Sequence, residues 1–326
     1  MEAIFCSDKN QWDSFVMQNS DAFLQAFEWG NLQEESGLKV FRLLIKENNN
    51  TLAAAQITKE SSFSKNYLYS AYGPVFRKDE SGQQKQIILD VLLKEIQELA
   101  IKENCIFLRI ESAEEIGGIK GYTIKNPPRR TQPQKTLVLN LTKPEDDLFK
   151  EFSTTARRNI GLARRHGVII KKQSSYSPEF YGLLKKTETR QEFGVYSENH
   201  YKSLFQIDGK NIKTELFLAE YEGKIINSTI VVFFNGRATT LHSGSDHNYR
   251  KVKAANLLKW EIILSAKKDG FKKLDFWGID EKKWPNLTSF KKGFGGKEID
   301  YPPGIDIVFQ RLWYFIYKAS KIIKRK

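Results

Sequence analysis

The 326-residue chain has 52 Lys and Arg and 39 Asp and Glu, which gives a formal net charge of +13. This positive charge favours an anionic partner such as nucleic acid, a phosphate-bearing substrate or a membrane surface. Its 40% hydrophobic and 28% charged residues indicate a globular protein and exclude a disordered one. Cys6 and Cys105 are isolated from each other, which argues against a disulfide framework and a cysteine metal site. The acidic N-terminus argues against a signal peptide. The lack of a long apolar run argues against a membrane span. We therefore expect a cytoplasmic protein without a metal.

The same order of elements is predicted twice along the chain. The first copy has strands at 40–45, 52–57 and 67–73, a helix within 84–103 and a strand at 106–111. The second has strands at 215–221, 224–234 and 240–245, a helix at 254–268 and a strand at 273–277. The order is a hairpin, a third strand, a helix and a fourth strand. Because it occurs twice, it predicts two α/β units. Each unit resembles a GNAT-like acyltransferase domain, an α/β (α+β) fold with a mixed central sheet flanked by helices.

Two proline-rich segments mark the predicted domain boundaries. Residues 127–133 precede a strand at 136–141, and Pro144 follows as the start of a helix. Residues 301–304 break structure again, and the chain after them is predicted to return to the first unit. We therefore predict a first domain of residues 1–143 with 302–326 and a second domain of residues 144–301.

A basic helix is predicted from residue 154 onward. Arg157 and Arg158 lie seven residues before Arg164 and Arg165, so the two pairs fall on one helical face two turns apart. Such a face suits phosphate groups of RNA or phospholipid. A solvated face is the alternative.

The last helix, from Arg311 to the C-terminus, has a predicted apolar face. Its members are Leu312, Phe315, Ile316, Ala319, Ile322 and Ile323, with terminal Lys and Arg after them. One interpretation is a membrane-interface helix. The other is packing on the first domain, with only the basic end, Lys321 to Lys326, touching lipid.

The segment 289–296 is the most informative candidate site. It places Lys291 between Phe290 and Phe294 and is predicted to be a loop, after a strand that carries Asp275. Aromatic anchors can fix a lysine so that its ammonium holds a developing anion. A surface loop with solvated lysines is the alternative.

Several segments together resemble the Fem (FemABX) family over nearly the whole chain. They are residues 23–30, 72–75, 155–160, 257–261, 275–280 and 290–296. The family consists of tandem GNAT-like aminoacyltransferases that attach an amino acid from aminoacyl-tRNA to the amine of a peptidoglycan precursor. The chain resembles the compact kind, without a coiled-coil arm.

The resemblance implies roles for particular residues. Phe290 and Lys291 match a Phe-Lys pair that stabilises charge on the ester, and Glu111 matches an acid after the first unit's last strand, with Arg109 beside it. The sequence departs from the family at Gln33, Glu198 and His242. The candidate substrate-binding residues are Arg109, Gln33, Tyr201, His242, Arg157, Arg158, Arg164 and Arg165.

We therefore predict an aminoacyltransferase in which Lys291 stabilises the oxyanion and Glu111, Asp275 or the substrate accepts the proton. Expected partners are aminoacyl-tRNA as co-substrate, a lipid-linked or UDP-linked peptidoglycan precursor and the anionic membrane surface; we expect no cofactor and a monomer. The loop at 246–255 has no glycine, and the loop at 73–77 lacks the glycine motif of a pyrophosphate site, so coenzyme A binding is not expected. Two alternatives are an acyltransferase of the same fold acting on another amine and a non-catalytic RNA- or membrane-binding relative.

Overall fold

The computed structural model describes residues 1–62, 65–191, 194–207 and 209–323. It divides into two compact units, Met1–Gln134 with Tyr301–Lys326 and Lys135–Asp300. The strand at 135–140, which we assigned to the first domain, hydrogen-bonds to strands of the second unit.

The first unit is built on a mixed sheet. Its strands are β1 Glu2–Phe5, β2 Lys39–Glu47, β3 Asn50–Ser62, β4 Lys65–Ala71, β5 Val75–Phe76, β6 Cys105–Glu111, β7 Thr123–Lys125 and β15 Ile305–Val308. Their order is β1-β2-β3-β4-β6-β15-β7, with β5 paired to β3. The helices are α1 Lys9–Asn19, α2 Phe27–Glu35, α3 Gly82–Lys102 and α10 Arg311–Ile323, with a 3-10 turn at Phe23–Gln25. The core lies between the sheet and α3, whose Ile88, Leu92 and Ile96 are buried at helical spacing.

The second unit repeats this architecture. Its strands are β8 Lys135–Asn140, β9 Ile169–Gln173, β10 Ile212–Tyr221, β11 Lys224–Phe234, β12 Arg237–Ser245, β13 Lys273–Asp275 and β14 Lys297–Asp300. Their order is β14-β8-β13-β12-β11-β10-β9. The helices are α4 Glu145–Glu151, α5 Thr154–Arg165, α6 Pro178–Gln191, α7 Glu198–Leu204, α8 Ala254–Lys268 and α9 Pro285–Lys292, with a 3-10 turn at His247–Val252. Leu257, Ile262 and Ala266 of α8 pack in its core.

The repeated order of hairpin, third strand, helix and parallel fourth strand is confirmed. In the first unit β4 pairs in parallel with β6, and in the second β12 pairs in parallel with β13. The return of the C-terminal segment is also confirmed, because β15 lies between β6 and β7. The architecture is thus a mixed α/β fold in two related units.

Two local predictions are wrong. The strand predicted over 273–277 ends at Asp275, because Trp277 has a φ of 58° and left-handed backbone cannot continue a strand. The segment carrying Phe290 and Lys291 is the end of helix α9 and not a loop. Pro285 starts that helix, where its missing N–H costs no hydrogen bond.

Of the two interpretations of α10, packing of its apolar face on the first domain is wrong. Tyr314 and Tyr317 are buried against Ile106, Phe107 and Val308 of the first unit. Leu312, Phe315 and Ile316, which belong to that apolar face, are exposed. The side chains of Ile322 and Ile323 and the segment 324–326 lie outside the described residues. Among the helices that are described, none is both long and apolar enough to cross a bilayer.

Candidate functional site

A sharp turn follows β13 in the second unit. Oδ1 of the fully buried Asp275 accepts a hydrogen bond from the Trp277 backbone N–H at 2.7 Å, which closes a turn of the Asx type. Trp277 adopts a left-handed φ of 58°. This conformation costs a bulky residue on the order of 1–3 kcal/mol and persists only where its surroundings hold it. The turn leaves the carbonyl groups of Trp277 and Gly278 free of strand pairing.

Those two carbonyl groups hold the ammonium of Lys291. Its Nζ donates to the Trp277 oxygen at 2.9 Å and to the Gly278 oxygen at 2.6 Å. An ammonium has three N–H donors, and within the described part of the chain the third has no acceptor. The side chain is only 9% exposed. Lys291 is therefore a fixed, nearly buried cation with one donor left for an incoming oxygen.

Aromatic rings anchor the helix that carries Lys291. Phe294 is fully buried and lies 5.3 Å from Phe290 and 5.7 Å from Phe276, measured between ring centroids. The neighbouring Lys292 points elsewhere and forms surface ion pairs with Glu281 and Glu298. The predicted arrangement of one anchored lysine between two phenylalanines therefore exists, on a helix.

A second buried lysine, Lys259 on α8, was missed by the sequence analysis. It is 6% exposed and has no hydrogen-bond or ion-pair partner among residues 1–62, 65–191, 194–207 and 209–323. Burial, with the charge of Lys291 as a second cause, lowers the pKa of Lys259 to about 7. Burial likewise lowers the pKa of Lys291 to about 8, against the opposing effect of Asp275. The sequence feature that could have indicated this buried amine is a lysine among the apolar residues of α8.

Asp275 acts mainly as an organiser of this region. Its carboxylate accepts a hydrogen bond from the Thr136 hydroxyl as well as from Trp277, and it lies 3.4 Å from the Arg237 guanidinium. Burial raises the pKa of Asp275, while Arg237 and the hydrogen bonds oppose the rise. With its oxygens committed to these donors, Asp275 positions the turn and balances the charge of Lys291. The general-base role of Asp275 stays a prediction.

The sheet of the second unit opens next to this turn. Strands β12 and β13 pair only from Arg237 to Thr239, and β12 then continues to Ser245 without β13. The Thr240 hydroxyl donates to the Asp275 carbonyl at 3.4 Å, at the point of separation. A β-bulge in the β11–β12 pairing follows at the same level, between Ile230 and Val231. The opening is thus a feature of the second unit's own sheet.

An aromatic cluster lies on the separated half of β12. Tyr201 is fully buried and its ring lies 5.3 Å from that of His242, with Tyr196 at 6.1 Å from the same imidazole. Burial and the nearby His200 lower the pKa of His242 to about 4. The predicted residues Tyr201 and His242 are therefore brought together, and His242 is neutral near pH 7.

The four arginines of α5 separate into two kinds. Arg157 donates to the carbonyl groups of Lys150 and Phe152 at 2.6 and 2.8 Å, which caps α4. Arg164 pairs with Glu261 of α8 at 3.2 Å. Arg158 and Arg165 are exposed. Only the last two keep the free charge predicted for binding an anion.

The two candidate site residues of the first unit, Arg109 and Glu111, form hydrogen bonds within that unit. Arg109 forms a two-point ion pair with Asp306 at 2.7 and 2.8 Å and donates to the Arg129 carbonyl. Glu111 is fully buried and accepts hydrogen bonds from the Tyr69 hydroxyl and from two backbone N–H groups of the connection at 131–132. Arg109 and Glu111 therefore both have hydrogen-bond partners within the first unit, and the substrate-binding role of Arg109 and the base role of Glu111 stay predictions.

Two further positions that depart from the family pattern are described. Gln33 is half-buried on α2. Glu198 accepts a hydrogen bond from the Tyr176 hydroxyl at 2.9 Å and pairs with Lys202 at 3.0 Å. Glu198 therefore has local partners in the second unit.

Comparison with known proteins gives a consistent result. A model of the FemAB family matches residues 8–116, 118–225 and 208–324. The lipid II:glycine glycyltransferase of Staphylococcus epidermidis strain RP62A is 21% identical over 236 residues, which is 68% of this chain and 56% of that protein. The enzyme of the same name from Staphylococcus aureus strain MRSA252 is 20% identical over 331 residues, 94% of this chain and 74% of that protein. The chain therefore spans little more than half the length of the first of these relatives.

Solved structures show the same fold. The crystal structure of FemX matches with a TM-score of 0.81 at 16% identity and covers 98% of this chain and all of its own. A tandem GNAT protein from the clavulanic acid biosynthesis pathway matches with a TM-score of 0.53 at 13% identity, covering 94% of this chain and 97% of its own. These likenesses confirm two tandem GNAT-like units.

Proposed function

Because this chain belongs to the FemAB family, we propose that it is an aminoacyltransferase that moves an amino acid from aminoacyl-tRNA to an amine of a peptidoglycan precursor. The names of its relatives support lipid II, a lipid-linked precursor, as the acceptor. The observation that carries the proposal is Lys291, whose ammonium is fixed by two carbonyl groups with its third donor uncommitted. We expect no cofactor, since the ester of the charged tRNA is itself the activated donor.

The proposed reaction is acyl transfer. The acceptor amine forms a C–N bond to the ester carbonyl carbon, and the carbonyl electron pair moves to oxygen. The tetrahedral oxyanion then collapses, the C–O bond to the ribose breaks, and the ribose oxygen takes up the proton that the amine releases. The third N–H of Lys291 would donate to the oxyanion at a buried position, where a fixed cation is worth more than in water.

The contacts of the second unit suit this role. The Asp275 carboxylate holds the turn by accepting a hydrogen bond from the Trp277 backbone N–H. The Trp277 carbonyl then accepts a hydrogen bond from Lys291. Neither Asp275 nor Glu111 has an uncommitted oxygen, so we assign proton acceptance to the substrates or to Lys259, which has no other partner in the described chain. A neutral amine with a pKa of about 7 is suited to proton transfer near neutral pH.

A reconstituted assay tests the proposal. Purified protein is incubated with a panel of charged tRNAs and either lipid-linked or UDP-linked precursor, and the stem peptide is analysed by mass spectrometry. We expect one aminoacyl residue to be added, and ribonuclease treatment of the tRNA to abolish the addition. Addition of an acetyl group from acetyl-CoA instead would favour an acyltransferase that acts on another donor.

A further inference from the structure

Helix α10 presents an apolar surface that nothing in the described structure covers. Leu312 and Phe315 are 70% and 71% exposed, and Trp313 and Ile316 are exposed beside them. The opposite side is fixed to the first unit. The Tyr314 hydroxyl donates to Asp306 at 2.8 Å, and the Tyr317 hydroxyl lies 3.3 Å from the Arg109 guanidinium. The helix is therefore firmly docked by its tyrosines and displays its most apolar residues to solvent.

The charged residues of the segment that carries this surface are all basic. From residue 311 to the C-terminus the sequence has six Lys and Arg and no Asp or Glu. Arg311 is exposed, and Lys65 of β4 lies 3.7 Å from the Trp313 ring centroid. Two copies of so basic a segment would repel each other across a two-fold interface. Apolar residues with a tryptophan and flanking cations are instead typical of helices that lie in the interface of an anionic bilayer.

We propose that the exposed face of α10 is a docking surface for an anionic lipid bilayer. Leu312, Phe315 and Ile316 enter the boundary between headgroups and acyl chains, and Arg311 and Lys318 reach lipid phosphates. The surface deepens the proposed function, because it would hold the first unit at the membrane where a lipid-linked acceptor resides. The exposure and charge of the helix support this surface independently of the proposed reaction.

Vesicle binding tests this proposal without donor, acceptor or transfer, so its failure is distinct from failure of the proposed reaction. Co-sedimentation is measured with phosphatidylcholine vesicles and with vesicles that also contain phosphatidylglycerol. We expect binding to the anionic vesicles that weakens with salt. The double variant Leu312→Asp with Phe315→Asp should lose about tenfold or more in partitioning, since it places two charges in the bilayer boundary.

A matched control is available elsewhere in the first unit. Phe5 and Ile101 are also large, apolar and exposed, so Phe5→Asp with Ile101→Asp makes the same chemical change away from α10. We expect this control to bind vesicles like the wild type, and both double variants to keep the wild-type melting temperature. Wild-type vesicle binding by the α10 variant would overturn the proposal. Self-association that only the α10 variant abolishes, without vesicle binding by the wild type, would assign the surface to a second copy.

Discussion

At the scale of single residues, two buried amines distinguish the second unit. Lys259 and Lys291 interact electrostatically, and both have a pKa well below that of an exposed lysine, near 10.4. A buried charge without a partner is costly. Lys291 is held by two carbonyl groups, whereas Lys259 has no partner within the described residues. Lys259 should therefore lower stability whenever it is protonated.

This gives a prediction for Lys259→Met, which keeps a long unbranched side chain and removes the amine. The pKa of Lys259 is lowered on folding, so between about pH 7 and pH 10 the unfolded chain binds more protons than the folded one. Wild-type stability should rise with pH across that window and level off below about pH 7, where both states hold the proton. Relative to the variant, the wild type should be less stable by a few kcal/mol at pH 6, and the difference should shrink toward pH 10. Urea unfolding at a series of pH values measures this, and a difference that is independent of pH would contradict it.

The activity should depend on the charge of Lys291. With a pKa of about 8, its ammonium is charged below that pH and neutral above it. The rate of transfer at saturating substrate should therefore decline as pH rises through about 8. Initial rates from pH 6.5 to 9.5 check this. Lys291→Arg, a weaker catalyst whose guanidinium stays charged throughout, should lack the decline, and the same decline in that variant would assign it to another group.

Some of these residues could be predicted from sequence and others could not. Phe290, Lys291 and Phe294 lie close together in the chain, so the aromatic anchoring of Lys291 could be predicted, although the helix that carries it was not. The ion pair between Arg109 and Asp306 joins residues 197 positions apart, and no local pattern indicates it. Lys259 was overlooked because helical spacing identifies the apolar face of α8 and says nothing of a cation buried within that face.

At the scale of elements, the hairpins and long helices were predictable because strand alternation and helical periodicity are local properties. The face of α10 that packs on the first unit could not be predicted. Its apolar stripe is compatible with either orientation, and the choice depends on Tyr314 reaching Asp306 and Tyr317 packing on Phe107. The turn after β13 was also unpredictable, because a left-handed tryptophan is stabilised by the Asp275 carboxylate and not by its own preference.

We predict that the protein does not bind acetyl-CoA. Before α8 the backbone N–H groups of Asn248 and Tyr249 are occupied by Asp246. In the first unit β5 occupies the corresponding segment, and the Arg77 N–H donates to the Leu52 carbonyl. These bonds take up backbone N–H groups that would otherwise be available to cradle a pyrophosphate. Calorimetry should detect no binding, and a micromolar affinity would contradict this and favour the acyl-CoA alternative.

Arg158 and Arg165, the α5 arginines without a partner among the described residues, should contact an anionic partner. Replacing Arg158 and Arg165 with glutamine should weaken tRNA binding and make its dependence on salt concentration less steep, because fewer counterions are released. Replacing Arg157 and Arg164 in the same way is the matched control, since those two already have partners in the second unit. Binding measured from 50 to 300 mM salt distinguishes the pairs. If tRNA binding by the Arg158 and Arg165 variant depends on salt concentration as steeply as wild-type binding does, these two arginines face only solvent.

At the scale of the whole molecule, two related units have diverged. In the first, β4 and β6 stay paired as far as Ala71 and Glu111, and the Tyr72 N–H then donates to the Glu111 carbonyl at 2.7 Å. In the second, β12 and β13 separate after Thr239. The opening and the lysine pair are both features of the second unit. We therefore place the chemistry there, and assign the exposed α10 surface of the first unit to attachment.

Single-turnover transfer from charged tRNA to lipid-linked precursor, compared between the wild type, Lys291→Ala and Lys292→Ala, tests the central claim most directly. Lys292 is the adjacent lysine and forms only surface ion pairs, so its variant controls for the loss of a positive charge on α9. We predict that Lys291→Ala folds normally and transfers about a hundredfold more slowly or worse, the scale of one lost oxyanion donor, while Lys292→Ala stays close to the wild type. A Lys291→Ala variant that transfers at the wild-type rate with both substrates saturating would contradict the account.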